Sequence, residues 1–126
     1  MEADDRDADG VVYYPENLMP IVQELGVRYR RFSELREEVL IGYAYNTARA
    51  YWSDLDDVCI WALERAKDPL DLSERDIRQY VALLRRRKYS ENTIRRRVTA
   101  VRKLYDRLVA TGQQQSNVAA NVRIGR

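Results

Sequence analysis

Between Arg85 and Arg107 the chain carries ten basic residues and two acids, Glu91 and Asp106, a local balance of +8 in a protein whose net charge is +2. So dense a cluster is an electrostatic footprint suited to a polyanion. On a helix turning 100° per residue, with Val101 at the centre of the buried face, Asn92, Arg96, Thr99 and Lys103 lie nearly opposite it, flanked by Arg95 and Arg102. These side chains can read base edges in a DNA major groove, which admits one α-helix. Flanking arginines reach phosphates, which fix register without reading sequence. Arg97 falls close to the buried side, where its stem packs and its head must be paired or snorkel. A solvated face of a protein-interaction helix is the competing reading of the same residues.

Other chemistry finds little support. The chain has no histidine, so histidine-based acid–base and metal sites are excluded. Its five glycines are scattered, with no phosphate-cradling loop. The acid pairs Glu37-Glu38 and Asp56-Asp57 are adjacent on helices and point in different directions. No Ser, Thr or Tyr has a base in a recognisable arrangement. A free-standing enzyme is not expected, and neither a cofactor nor a small-molecule substrate is implied. Cys59, the single cysteine, reads as a small buried hydrophobe.

Helices must position the basic residues. A chain of 126 residues suits one compact domain. Residues 1–24 hold seven acids and one base, a balance of −6, and residues 1–10 are too polar to fold alone. A short helix is expected around Glu16–Leu25, ended by Gly26. From Tyr29, the spacing of Phe32, Leu35 and Val39 predicts a first main helix ending at Gly42. Asn46 is expected to cap a second helix, with Ala48, Tyr51, Trp52, Leu55, Val58, Cys59, Ala62 and Ala66 on its buried stripe. Asn46, Arg49, Ser53 and Asp57 fall opposite, while Ile60 and Trp61 lie off the stripe and suggest a second packing partner or a contact surface. Ser73 and Asp76 resemble a capping box opening a third helix that buries Ile77, Tyr80, Val81 and Leu84. Its basic end, Arg85 to Lys88, suits a helix carboxyl terminus. Ser90 caps a fourth helix running to about Thr111, with Ile94, Val98, Val101, Leu104, Tyr105 and Leu108 inside. The expected fold is all-α, a bundle of four main helices over residues 29–112, preceded by an acidic arm (1–28) and followed by a connection (113–126). No apolar run is long enough for a transmembrane helix, and the polar amino terminus is unlike a signal peptide, so a cytoplasmic protein is expected.

Four segments carry a resemblance. Ala44-Tyr45-Asn46-Thr47-Ala48-Arg49-Ala50-Tyr51-Trp52-Ser53-Asp54-Leu55 resembles the Ser-x-Asn-Thr-x-x-x-Tyr-x-x-Asp-Leu signature of the core-binding domain of tyrosine site-specific recombinases (phage integrases). Ser90-Glu91-Asn92-Thr93-Ile94-Arg95-Arg96-Arg97-Val98-Thr99-Ala100-Val101-Arg102-Lys103-Leu104-Tyr105 looks like that family's fourth-helix signature. Leu72 to Tyr80 is similar to its third-helix opening, and Gln115 to Val122 to its exit towards a catalytic domain. Ala44 departs from the usual Ser, so Asn46 is expected to take over the cap. Val118 replaces the usual Pro.

The resemblance implies a helical, SAM-like domain that clamps one face of double-stranded DNA, with the catalytic residues in a separate downstream domain. It implies DNA contacts from Asn46, Thr47, Arg49 and Ser53 on the second helix. On the fourth it implies Asn92, Arg95, Arg96, Thr99, Arg102 and Lys103, with Arg87 and Lys88 as further phosphate contacts. It also implies other recombinase protomers as partners on DNA, and no membrane. Tyr51 and Tyr105 read as packing residues. The alternative is a helical protein-interaction or oligomerisation module that touches no DNA, with Ile60, Trp61 and the apolar exit segment as its surface.

Overall fold

The computed structural model describes residues 19–124. Most of the acidic arm, including its expected disordered start, lies outside them. Among the described residues there are four helices and no strand: α1 (Met19–Leu40), α2 (Tyr45–Glu64), α3 (Glu74–Arg86) and α4 (Glu91–Ala110). The chain is therefore an all-α bundle. α4 packs against each of the other three helices, and α1 also packs against α2. The core is drawn from every helix, with Phe32, Leu55, Val58, Ile77, Tyr80, Leu84, Val98, Leu104 and Tyr105 among its fully buried side chains. Cys59 is buried with them, and burial pushes its thiol up to about 12. No helix among the described residues is long and apolar enough to cross a membrane.

The starts of α3 and α4 follow their local chemistry. The Ser73 hydroxyl accepts from the Asp76 amide at 3.1 Å, and the Asp76 carboxylate accepts from the Ser73 amide at 2.9 Å, a reciprocal capping box. Partial burial raises the Asp76 pKa, but the hydrogen bonds from Ser73 and the Lys67 ammonium outweigh it, so the net shift is downward. Ser90 caps α4 by accepting from the Thr93 amide at 3.1 Å.

Two boundaries differ from expectation. α1 runs unbroken through Gly26, so the short helix and the first main helix are one element. A helical glycine costs only about 1 kcal/mol relative to alanine. Tertiary contacts hold the segment, since Arg28 donates to the Ala66 carbonyl at 3.1 Å and Arg31 faces Asp68 at 3.8 Å. At α2 the N-cap is Ala44, which has no side chain to cap with, and Asn46 lies inside the first turn instead of replacing it.

Three helices end alike. In each, the residue after the C-cap is left-handed and two reverse hydrogen bonds close the last turn, as in a Schellman motif. After α4 this residue is Gly112 (φ 78°), with bonds from Gly112 to Val109 and from Gln113 to Leu108. After α3 it is Lys88 (φ 63°), and after α2 it is Ala66 (φ 59°). Ala66 thus leaves the buried stripe on which helical periodicity had put it. Left-handed backbone strains a residue with a Cβ, so Ala66→Gly is expected to raise unfolding free energy by about 0.5–1 kcal/mol. Gly112→Ala should lower it by about 1 kcal/mol, although nothing lies within 4 Å of the added methyl. Urea unfolding of the two variants checks both signs.

The residues after Gly112 fold back. Asn117 donates to the Arg102 carbonyl at 2.9 Å and to Asp106 at 2.8 Å, and Ala119 and Val122 are buried in the core. The connection therefore leaves along the flank of α4.

Candidate nucleic-acid interface

α2 and α4 lie side by side, and two contacts join their outer faces. The first is an ion pair: Arg96 donates from Nε and Nη2 to the two oxygens of Asp54, at 2.8 and 2.9 Å. The Asp54 side chain is 1% exposed and that of Arg96 48%, so a buried carboxylate holds a guanidinium at the surface. This interaction raises the pKa of Arg96. The second contact is Lys103, whose ammonium stands 5.2 Å from the centre of the Tyr43 ring and 5.9 Å from that of Tyr51. A cation at this distance from an aromatic face is attracted by the ring quadrupole.

Around these contacts Asn46, Thr47, Arg49 and Ser53 are exposed on the first half of α2. Asn92 and Arg95 are exposed on the first turns of α4, where Arg95 Nη1 donates to Asn92 at 3.1 Å. Thr99 is half-buried between them and Lys103. Arg87 and Lys88 are exposed where α3 ends. Lys88 also occupies the left-handed position that closes α3, which disfavours any residue with a Cβ.

Arg102 departs from the expected outward flank. Its Nε donates to the Ala119 carbonyl at 3.0 Å and its Nη2 to the Val122 carbonyl, so it fastens the exit segment to α4. Arg97 is structural: it donates to Asp57 at 2.8 Å, faces Asp54 at 3.6 Å and stacks on the Tyr89 ring at 4.5 Å. Asp57 also accepts from the Tyr80 hydroxyl, so it is half-buried between α3 and α4 and not fully turned to solvent as periodicity suggested.

Two other features of α2 are redrawn. Trp61 is buried, with its ring 5.2 Å from that of Tyr80, so of its two readings it takes that of a second packing partner and not a contact surface; Ile60 stays 47% exposed. Trp52 is 40% exposed and carries the buried Arg36 guanidinium 4.1 Å from its ring centre. Periodicity did not mark Asp54 as a site residue. The available signal was its place in the Tyr-x-x-Asp-Leu stretch beside two outward polar positions.

Neither well-buried tyrosine is poised for chemistry. The Tyr105 hydroxyl donates to the Pro69 carbonyl at 2.8 Å and accepts from the Leu72 amide at 2.9 Å, and burial raises its pKa. Burial, aided by Asp57, likewise raises that of Tyr80. Among the described residues no cluster of His, Cys, Asp and Glu could hold a metal ion.

The chain matches the family model described as phage integrase, N-terminal SAM-like domain, over residues 32–112. It is also similar to tyrosine recombinase XerC of Roseiflexus sp. (strain RS-1), with 37% identity over 70 residues. That stretch covers 55% of this chain but 22% of the relative, so the shared part is less than a quarter of the relative's length. No solved structure matches.

Proposed function

The chain belongs to the phage-integrase N-terminal SAM-like domain family, and from that premise we propose that it binds double-stranded DNA through α4 and the start of α2. In this reading it positions a tyrosine recombinase on its recombination site, and strand cleavage and rejoining belong to a separate catalytic domain. The observation that carries the reading is the joining of two helix faces into one surface by Asp54–Arg96 and by Lys103 over Tyr43 and Tyr51. Arg49, Arg95, Arg96 and Lys103 supply its positive charge, and Asn46, Ser53, Asn92 and Thr99 supply neutral hydrogen-bonding groups. Arg102 is left out of this set because its guanidinium is engaged within the fold.

Fluorescence anisotropy with a labelled generic duplex tests the proposal. The wild-type chain should bind with a dissociation constant of about 10⁻⁴–10⁻⁶ M, weakening steeply with salt. Arg96→Ala with Lys103→Ala should bind more weakly, with a shallower salt slope. A folded wild-type chain indifferent to every duplex at low salt would refute the proposal.

A protein-contact role keeps one supporting observation. With Trp61, Ala119 and Val122 buried, its surface moves to Ile41 (88% exposed) and Tyr45 (76%), beside Trp52. An oligomer in sedimentation without DNA, dissolved by Ile41→Glu, would favour it.

A further inference from the structure

Arg96 differs from every other basic residue on the proposed DNA face in how it is held. A guanidinium presents five N–H groups in a rigid planar fork. Two of them, on Nε and Nη2, are fixed on Asp54 at 2.8 and 2.9 Å. Asp54 cannot swing away easily: its side chain is 1% exposed, and Arg97 also approaches it, at 3.6 Å. The second edge of the fork, made by Nη1 and the outer hydrogen of Nη2, has no partner among the described residues. It projects from a side chain that is 48% exposed. Arg49 and Lys103 have no carboxylate partner among the described residues, and Arg95 is tied only to the exposed Asn92.

A phosphate needs no such rigidity, because an unrestrained lysine or arginine contacts it well and the contact carries no sequence information. A guanine edge does benefit from it. Its O6 and N7 are two acceptors in fixed geometry, and a bidentate arginine is their commonest partner. Pre-ordering the fork removes part of the entropy that such a contact otherwise costs.

Resting on the DNA-binding reading, we infer that Asp54 is a positioning residue that aims the free edge of Arg96 at one guanine of the bound site. Arg96 is then the residue that specifies a base pair at that position. The contact requires an ionised Asp54 and a planar fork, so neither Asp54→Asn nor Arg96→Lys retains it. Both variants keep the shape of the side chain or its charge. Arg97 retains Asp57 in each, which protects the fold.

The test is selection of the intact chain on a randomised duplex library, for wild type, Asp54→Asn and Arg96→Lys, with thermal melting followed by circular dichroism. Wild type should select a motif containing a guanine that it prefers about ten- to a hundredfold over other bases. Both variants should lose that preference, at the same position, while the rest of the motif and the salt slope on generic duplex persist. The inference is overturned if both variants weaken all sequences alike and keep the guanine preference, the signature of a phosphate contact. It is overturned equally if wild type selects no guanine, or if folded Arg96→Lys leaves the motif intact. Should Asp54→Asn melt below the assay temperature, Asp54→Glu replaces it, with the same loss at the same position expected from the displaced fork. Failure of the broader reading looks different, since no duplex would then be bound at any salt.

Discussion

Arg97→Ala is expected to lower the unfolding free energy by about 3 kcal/mol, although Arg97 lies inside the most basic run of the chain. Its guanidinium joins Asp57, approaches Asp54 and stacks on Tyr89, and its side chain is 13% exposed. Removing it takes from Asp54 and Asp57 the guanidinium that both approach. Breaking a buried pair from one side costs about 3–5 kcal/mol, and the partial exposure of Asp57 places this case at the low end. Arg95→Ala, two positions earlier and tied only to Asn92, should change stability by no more than about 0.5 kcal/mol. Urea unfolding of both variants separates the roles of these near neighbours. A loss below about 1 kcal/mol for Arg97→Ala would show that solvent, and not Arg97, balances the two carboxylates.

The second large effect is expected at Tyr105. Its hydroxyl bridges the loop between α2 and α3 to α4, accepting from Leu72 and donating to Pro69 in the buried interior. Tyr105→Phe preserves the ring and deletes both bonds at once, leaving a buried amide and a buried carbonyl without partners. Each unsatisfied group costs about 1–3 kcal/mol, so a total loss of about 2–4 kcal/mol is expected. Hydrogen exchange at the Leu72 amide gives the local check. Unchanged protection there would mean that another acceptor, or water, takes the place of the hydroxyl.

The parts of this fold that were legible in the sequence are those decided within a few residues. Ser73 and Ser90 announce α3 and α4 because a capping hydroxyl meets an amide three residues on. The core stripe of α4 follows from spacing alone. What escaped depends on residues distant in the chain. Gly26 looks like a helix end until Arg28 and Arg31 are seen fastened to Ala66 and Asp68. Trp61 packs on Tyr80 as the second-partner reading of its off-stripe position allowed, but Asp57 was placed on the solvent side because its partners, Tyr80 and Arg97, come from α3 and α4. The basic run of α4 shows its charge but not its division of labour. Arg96, Arg97 and Arg102 look alike in sequence, whereas one is held at the surface by Asp54, one is folded onto Asp57 and one grips the backbone of residues 119–122.

That last grip has a mechanical consequence. Residues 113–124 would, as a free polar tether of 12 residues, wander over a root-mean-square span of about 20 Å. Held by Arg102 and Asn117 and packed through Ala119 and Val122, they have no such span. Any chain continuing past Ile124 starts from the side of α4 at a fixed origin. Its reach is set by the residues beyond that point, and the local concentration of whatever it carries is correspondingly higher beside α4.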